Sequence, residues 1–535
     1  MIVMQPLRPS ILILAVLMLV SVRESTDSVE ASGSHIGRIE IISGITDQRV
    51  LQRGSDGRAA FQVSGCAWPS ADSALAYRVL RRQQVVQGFD WRRVSLSPDG
   101  KWDMRIEGLP TGGPFRFEFK LTDAEGNALD QRDIDGVLVG DLWILTGQSN
   151  MDGAGLLDDA ERPSEMVHAY SLANTWQVAE DPMHLCSEAA YAVYRTSYVT
   201  PTERRPVPPK TRGTWPAWQK GPERLGAGLG IPFGKRIHKK TGVPIGLVLC
   251  SLGGTTMLQW SPDLKDEGEN SLYGAMLERL DKVGGRVAGI LWYQGESDSY
   301  GEGVAPYEER LTRLVASIRS DFKQPNLPFY TVQIGRQLTG RTVTDSGKDI
   351  VREAQRKCMR TIPNAGLVTS IDCAMSSGAH LDTVGYKRVG RRLAHLALAD
   401  VYGRKDIKAG PRLESVRIES DHDFPYGHVV RVTFAEVNGR LRASLPVSGF
   451  TIVRVKPDGS RVQSGPTSVE IDATQPDSVL IRTTGKLPAE AYLYYGRGWD
   501  PICNLVDEMD MAVPAFGPIR IEQKTGRQQV QGSGS

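Results

Sequence analysis

The sequence is poor in the features that settle a function quickly. Six cysteines are spread over 535 residues. None forms a Cys-x-x-Cys pair or a zinc-like cluster, which argues against a zinc ribbon or a thioredoxin-type redox site. An excess of one charge is missing too: 64 Lys and Arg stand against 62 Asp and Glu, a net charge of +2. No basic stripe stands out, so no nucleic-acid partner is expected. Long apolar runs are absent beyond the N-terminus. The run there, Ile11–Val22, follows Arg8 and leads to Val29-Glu30-Ala31. It is too short to span a bilayer comfortably as a permanent anchor. A basic start, an apolar centre and a small-residue exit read as a signal peptide over residues 1–31. The expectation is a secreted or periplasmic protein with no permanent membrane span. No cysteine follows the run closely, which argues against lipid attachment. Export permits disulfides; Cys358 and Cys373 are a candidate pair, and most cysteines are expected in the core.

What is present is a change of rhythm along the chain. A chain this long implies several domains, roughly two to four. Residues 36–137 carry short strands with period-two alternation: Phe115, Phe117 and Phe119 fall on one face, as do Trp102, Met104 and Ile106. Turn signals such as Pro98-Asp99-Gly100 separate them, predicting a small β-sandwich. Over 138–409 apolar strands alternate with helices. The strands are Val137–Thr146, Pro244–Leu252, Ala288–Tyr293, Phe329–Ile334 and Gly366–Ile371. The helices are Phe233–Lys240, Asn270–Val283, Tyr307–Phe322, Ile350–Ile362 and Val384–Tyr402. In Tyr307–Phe322, Leu311, Leu314, Val315 and Ile318 form one apolar stripe. This pattern predicts an α/β domain, a parallel sheet covered by helices on both faces. Residues 157–224, rich in Pro and Arg without period, read as an insertion near the site. Alternation returns over 410–522, predicting a second β-sandwich, and 523–535 reads as a disordered tail. No internal repeat is found.

In open α/β sheets ligands bind beyond the carboxyl ends of the strands. Those ends read Thr146-Gly147-Gln148-Ser149-Asn150, Ser251-Leu252-Gly253-Gly254-Thr255, Gln294-Gly295-Glu296 and Asp372. Ser149 lies two residues after Gly147, as a nucleophile on a sharp strand-to-helix turn requires. Such a hydroxyl needs a base within hydrogen-bond reach. Taken alone, GQSN reads first as a helix cap, a common place for serine.

The segment GDLWILTGQSNM resembles the nucleophile block of the sialate O-acetylesterase-like branch of the SGNH hydrolases. CSLGGTTMLQW, with Gly253, Gly254 and Trp260, is similar to that family's second block, and LWYQGESD to its third. GGPFRFEFK and YYGRGWDPICNLVDEMDMAVPAFGP are similar to its flanking β regions, so the resemblance runs in order from about Gln48 to Pro518. It implies an SGNH-hydrolase, flavodoxin-like α/β sheet between two β-sandwiches. It also implies a serine esterase that removes acetyl groups from carbohydrate hydroxyls through an acyl-enzyme on Ser149, with no cofactor and no metal. The oxyanion donors implied are the Ser149 N–H, Gly253 or Gly254 (Gly254 slightly preferred) and the Gln294 amide.

The resemblance places the base at His380, after the last strand and before the last helix, followed by Tyr386. His35, His422 and His428 lie outside the α/β region, His238 and His395 in helices, and His168 and His184 in the insertion. Many relatives carry Asp three residues before the histidine; here that position is Ser377. Asp372 and Asp382 flank it, and some related esterases use the Glu of QGE, here Glu296. Glu296 is the first expectation for the acid that orients His380, Asp372 the second, and a Ser149–His380 dyad the third. The alternative for Glu296 is a carboxylate tied to backbone amides or Arg352. Asp298 is expected to buttress the loop. Asn150 and Trp260 are named as substrate contacts; Asp152, Tyr191, Trp215 and Trp218 rank lower.

Three functional classes remain open at this point. They are a carbohydrate O-acetylesterase acting on sialic acid or an acetylated polysaccharide, an SGNH lipase, thioesterase or other esterase, and a catalytically degenerate carbohydrate-binding protein. The oligomeric state is not readable.

Overall fold

The structure is a computed structural model that describes residues 37–68, 73–198, 204–206, 225–338, 347–419, 427–444 and 446–522. The segment read as a signal peptide, the C-terminal tail, Trp215 and Trp218 lie outside the described residues. No helix among the described residues is long and apolar enough to cross a membrane.

The alternating N-terminal segments form two antiparallel sheets facing each other. One joins Ile39–Ser43, Arg58–Ala67 and Lys101–Pro110; the other includes Ala74–Arg81 and Gly112–Thr122. Phe115, Phe117 and Phe119 are buried with Trp102 and Ile106, and Trp102 lies 5.6 Å from Phe119, centroid to centroid. The period-two pattern therefore marks the buried face of each sheet.

Strand β1, Ala128–Gly147, is twenty residues long. Its first half pairs with Gly112–Thr122 in the N-terminal sheet. Its second half runs in the middle of the central parallel sheet. A boundary at 137/138 thus falls inside one continuous strand, because nothing in this run breaks extended backbone pairing. The join is braced by Asp141, which accepts from Arg53 Nε and Nη2, both at 2.9 Å.

The central sheet continues through β2 (Val167–Tyr170), β3 (Trp176–Val178), β4 (Ile245–Leu249), β5 (Gly289–Tyr293), β6 (Phe329–Gln333) and β7 (Ala365–Thr369), in the spatial order β3-β2-β4-β1-β5-β6-β7. All pairs are parallel except β2–β3. Every residue of β4, β5 and β6 is buried, so both sheet faces are covered. The covering helices are α2 (Gly230–Thr241), α3 (Leu272–Val283), α4 (Tyr307–Asp321), α5 (Gly347–Thr361) and α6 (Thr383–Asp400). They match the periodic stretches closely, and in α4 the buried residues are Tyr307 and the predicted stripe. The insertion is the main correction. Part of it, β2 and β3, extends the sheet at one edge; the strands are short, and their aromatic and polar residues hide the alternation.

The C-terminal segments form two four-stranded antiparallel sheets. One holds Arg412–Glu419, Val429–Ala435, Ser478–Arg482 and Ser468–Ile471. The other holds Arg461–Ser464, Phe450–Val455, Ala491–Tyr495 and Phe516–Arg520. Val430, Val432 and Ile481 from the first share a core with Ile452, Leu493 and Phe516 from the second. All six cysteines are free thiols, five of them buried. Cys358 lies by Thr312 and the Glu308 carbonyl, whereas Cys373 lies by Asp372 and the Gly385 carbonyl, so the candidate pair is not made.

Candidate active site

The carboxyl ends of β1, β4, β5 and β7 share one rim, and each places a different group there. At the end of β1, Gly147 has φ +134, and a side chain on it would meet the Tyr293 carbonyl at 2.2 Å. Only glycine lets the strand pass this close to β5 and still turn. The Gln148 N–H donates to Tyr293 O at 2.9 Å, and Gln148 Oε1 accepts from the Gly295 and Ser297 N–H groups. The short helix α1, Ser149–Asp152, follows, so Ser149 stands at a turn fixed from two sides.

The candidate base, His380, comes from the connection between β7 and α6. Met375 and Leu381 form an isolated antiparallel bridge, and the Asp382 N–H donates to Ala374 O, which folds Ala374–Asp382 into a narrow loop. Asp382 caps α6 by accepting from the Gly385 N–H at 2.7 Å. His380 projects from this loop, and its Nε2 lies 3.0 Å from Ser149 Oγ. Its Nδ1 lies 3.1 Å from Ser377 Oγ. With the proton on Nδ1, Ser377 Oγ accepts it and Nε2 is free to accept from Ser149. Burial lowers the His380 pKa, so the imidazole stays neutral to lower pH than a solvated histidine.

Neither expected carboxylate hydrogen-bonds His380. Asp372 is held by Arg392 Nη1 and Nη2, both at 2.7 Å, and by Arg388 Nη2 at 2.8 Å. Burial opposes its ionisation, but the two guanidinium groups outweigh this and keep its pKa below the ordinary value. It is a structural anion that joins α6 to Asp510 of the C-terminal region through the same arginines. Glu296 Oε1 accepts from Asn150 Nδ2 at 2.6 Å, while Oε2 is buried without a partner. Burial raises its pKa, opposed by the Lys348 ammonium and the Asn150 bond; Lys348 is itself pushed down by burial.

Asn150, expected at the substrate, is a clamp instead and is only 2% exposed. Its Nδ2 also donates to Ala379 O at 3.0 Å, and its Oδ1 accepts from Tyr386 Oη at 2.8 Å and from the Leu381 N–H at 3.4 Å. One side chain therefore ties the residue after Ser149 to both neighbours of His380. Its amide is saturated by protein, which is why it has nothing left for a ligand.

Two further expectations are corrected by burial. Gln294 is fully buried; its Nε2 donates to Thr255 O at 3.0 Å and to Asp298 Oδ2 at 2.5 Å, and its Oε1 accepts from Tyr307 Oη. It pins the β4 loop to the β5 loop and has no free donor for an oxyanion. Asp298 shares this role, accepting also from the Met257 N–H at 2.9 Å, and burial lifts its carboxyl to about 6. Trp260 has no exposed surface: it packs edge-on to Trp292 and donates to Thr255 Oγ1 at 3.0 Å. Tyr191 is buried as well. These aromatics complete the core and offer no face to a sugar.

Of the two glycines, Gly253 is the one against the nucleophile. A side chain there would meet Ser149 Cβ and Asp152 Oδ2 at 3.3 Å, whereas one at Gly254 would meet nothing within 4 Å. Gly254, the slightly preferred donor, has φ +75 and open space around it. Sequence reasoning missed the clamp role of Asn150 and the buried Lys348 altogether. Asn150 stood inside a quoted motif, so its place was visible and its partners were not; Lys348 lies in a polar run with no distinguishing signal.

Residues 139–399 match a family model described as carbohydrate esterase, sialic acid-specific acetylesterase. A probable carbohydrate esterase of Arabidopsis thaliana is 26% identical over 282 residues, covering 48% of this chain and 90% of that one. The human sialate O-acetylesterase is 25% identical over 360 residues, covering 59% of this chain and 64% of its own length. Among solved structures, a carbohydrate acetylesterase from Xanthomonas citri superposes with a TM-score of 0.60 at 23% identity, covering 90% of this chain and 99% of that one. This last likeness bears on the fold.

Proposed function

We infer that this chain, which over residues 139–399 matches the family described as carbohydrate esterase, sialic acid-specific acetylesterase, hydrolyses O-acetyl esters on carbohydrates with Ser149 as nucleophile. The observation that carries the reading is the 3.0 Å approach of His380 Nε2 to Ser149 Oγ from 231 residues away. That this contact stands at the strand-end rim on a serine that is not fully buried, with Gly253 against it, disfavours the degenerate reading.

Ser149 Oγ attacks the acetyl carbonyl while His380 Nε2 takes its proton. The tetrahedral oxyanion is met by the Ser149 N–H and by the N–H of Gly253 or Gly254, of which Gly253 lies against Ser149. Collapse breaks the ester bond; His380 passes its proton to the departing sugar oxygen and leaves an acetyl-serine. Water, deprotonated by His380, attacks this acyl-enzyme; the bond from the acetyl carbon to Ser149 Oγ breaks, His380 returns the proton to Oγ, and acetate leaves. Among the described residues, no carboxylate hydrogen-bonds the imidazolium that forms in each half-reaction. Ser377 Oγ supports it as a neutral acceptor from Nδ1–H, a weaker partner than an aspartate. Glu296 then acts at a distance, holding Asn150 and through it the His380 loop.

We further take the five central parallel strands, in the order β4-β1-β5-β6-β7, as the flavodoxin-like sheet of an SGNH hydrolase, flanked by sandwich domains over 36–137 and 410–522. Residues 1–31 are read as a signal peptide for secretion or periplasmic export. Acetate release from a panel of O-acetylated glycans, with Ser149→Ala as the control, tests the function. Release by the wild type alone supports it. Preference for long acyl esters, or equal release by the variant, overturns it.

A further inference from the structure

Beside the His380 loop four segments meet in a wall that the reaction steps above do not use. Tyr300 follows the loop that carries Gln294 and Glu296, and it is 47% exposed. Its ring lies against Trp499 of the C-terminal region, centroids 4.8 Å apart and planes at 34°. Gln337 Nε2 donates to Tyr300 Oη at 2.7 Å, and the Gln337 N–H donates to Trp499 O at 2.8 Å. The next residue, Leu338, is exposed and its N–H donates to Gly378 O at 2.9 Å, two residues before His380. Arg336 pairs with Asp500 at 2.5 Å. An exposed ring, the loop of the base and the C-terminal region are thus joined by direct bonds.

The wall is held rigidly from behind. Arg352, fully buried, donates to Gly496 O at 3.1 Å and Gly498 O at 2.6 Å, and Asp349 Oδ1 accepts from the Gly498 N–H at 2.8 Å. The Lys348 ammonium sits 5.9 Å from the Trp499 ring centroid. These bonds fix the turn that presents Trp499, and Trp499 with Gln337 fixes the plane of Tyr300. A tyrosine serving only to pack would bury its ring; this one is oriented at both ring and hydroxyl and left open. A ligand with an apolar C–H face matches such an open, braced ring, and a pyranose carries that face.

We propose that Tyr300, braced by Trp499 and Gln337, is a stacking platform for a sugar ring of the substrate, so that the C-terminal domain forms one side of the substrate cleft. The proposal rests on the carbohydrate-esterase reading and adds a specificity-determining residue to it. The platform positions the alcohol half of the ester and takes no part in bond making, so it acts on substrates that have a ring to stack.

Steady-state kinetics on two esters separates the cases: an O-acetylated xylo-oligosaccharide or other acetylated glycan that the wild type deacetylates, and ethyl acetate, which has no ring. Tyr300→Ala is expected to raise KM for the glycan on the order of tenfold, with kcat and the rate on ethyl acetate unchanged. Tyr300→Phe keeps the wild-type glycan KM. Trp499→Phe, which preserves the brace, does the same. An unchanged glycan KM in a folded Tyr300→Ala protein overturns the platform, and so does a parallel loss on ethyl acetate. A wild type that hydrolyses ethyl acetate but no acetylated glycan brings down the parent reading, and this one with it; that result appears before any variant is made.

Discussion

Two serine–histidine contacts stand at neighbouring strand ends of this molecule, and only one is a catalytic candidate. Ser149, after β1, meets His380 Nε2 at 3.0 Å; Ser251, after β4, meets His184 Nε2 at 2.8 Å. By distance the second is the better pair. Ser251, however, has no exposed surface, so no ester carbonyl reaches its hydroxyl. Burial also pushes His184 down to about 3, a base too weak to hold the serine proton during attack. His380 is lowered more modestly, Ser149 is open to the rim, and Gly253 lies against it. Access and basicity make the difference, and proximity alone does not identify a nucleophile.

The comparison can be broken most directly by removing each hydroxyl. Ser149→Ala should lower acetate release by at least about 10³-fold with the melting temperature unchanged. Ser251→Ala should leave turnover within about threefold of wild type while costing about 1–3 kcal/mol of stability, because His184 loses its buried partner. Parity between the two variants in activity would erase the distinction. Asn150→Ala, assayed for kcat and KM separately, is expected to reduce kcat by about 10–100-fold with KM little changed, since the His380 loop loses its tie to the nucleophile turn.

A finer test concerns the partner of His380. The base must be neutral, so kcat/KM falls as pH drops through the His380 pKa, which lies below the ordinary histidine value. Ser377→Asp places a carboxylate on Nδ1, favours the imidazolium and should move that acid limb up by about one pH unit; a limb that stays put would mean the carboxylate does not reach. A last test concerns His184, through stability and not turnover. Its folded pKa of about 3 lies below the ordinary 6.5, so the unfolded chain binds the proton more readily. Stability is full above 6.5 and is lost as pH falls from there towards 3. His184→Gln should flatten the melting temperature over that range, and an unaltered slope would show that the imidazole is not the group responsible.

Much of the fold could be read from the pattern of residues. Helices α2 to α6 and the apolar strands follow from stripes and runs that only one kind of packing satisfies. The shared strand β1 and the edge strands β2 and β3 did not follow, since a join between domains carries no punctuation and short polar edges lack period. Within the site, Ser149 and His380 were named from the resemblance of their motifs, since GQSN taken alone reads first as a helix cap, and the structure brings the two side chains together. The second layer was not legible. Gln294, Glu296, Asn150 and Trp260 carry side chains suited to ligands, and burial rather than residue type decides that they hold loops together. Ser377 was visible as a departure from the expected aspartate, and the structure gives it the contact with His380 that neither carboxylate makes.

Strand β1 has a consequence for anyone who wishes to cut the molecule apart. Its first half belongs to the N-terminal sheet and its second half delivers Ser149, with the Arg53–Asp141 pair riveting the junction. The N-terminal region is therefore not a detachable cassette. Deleting it would expose a raw edge on the strand that carries Ser149, and a shortened enzyme should lose catalytic competence together with about its amino-terminal quarter.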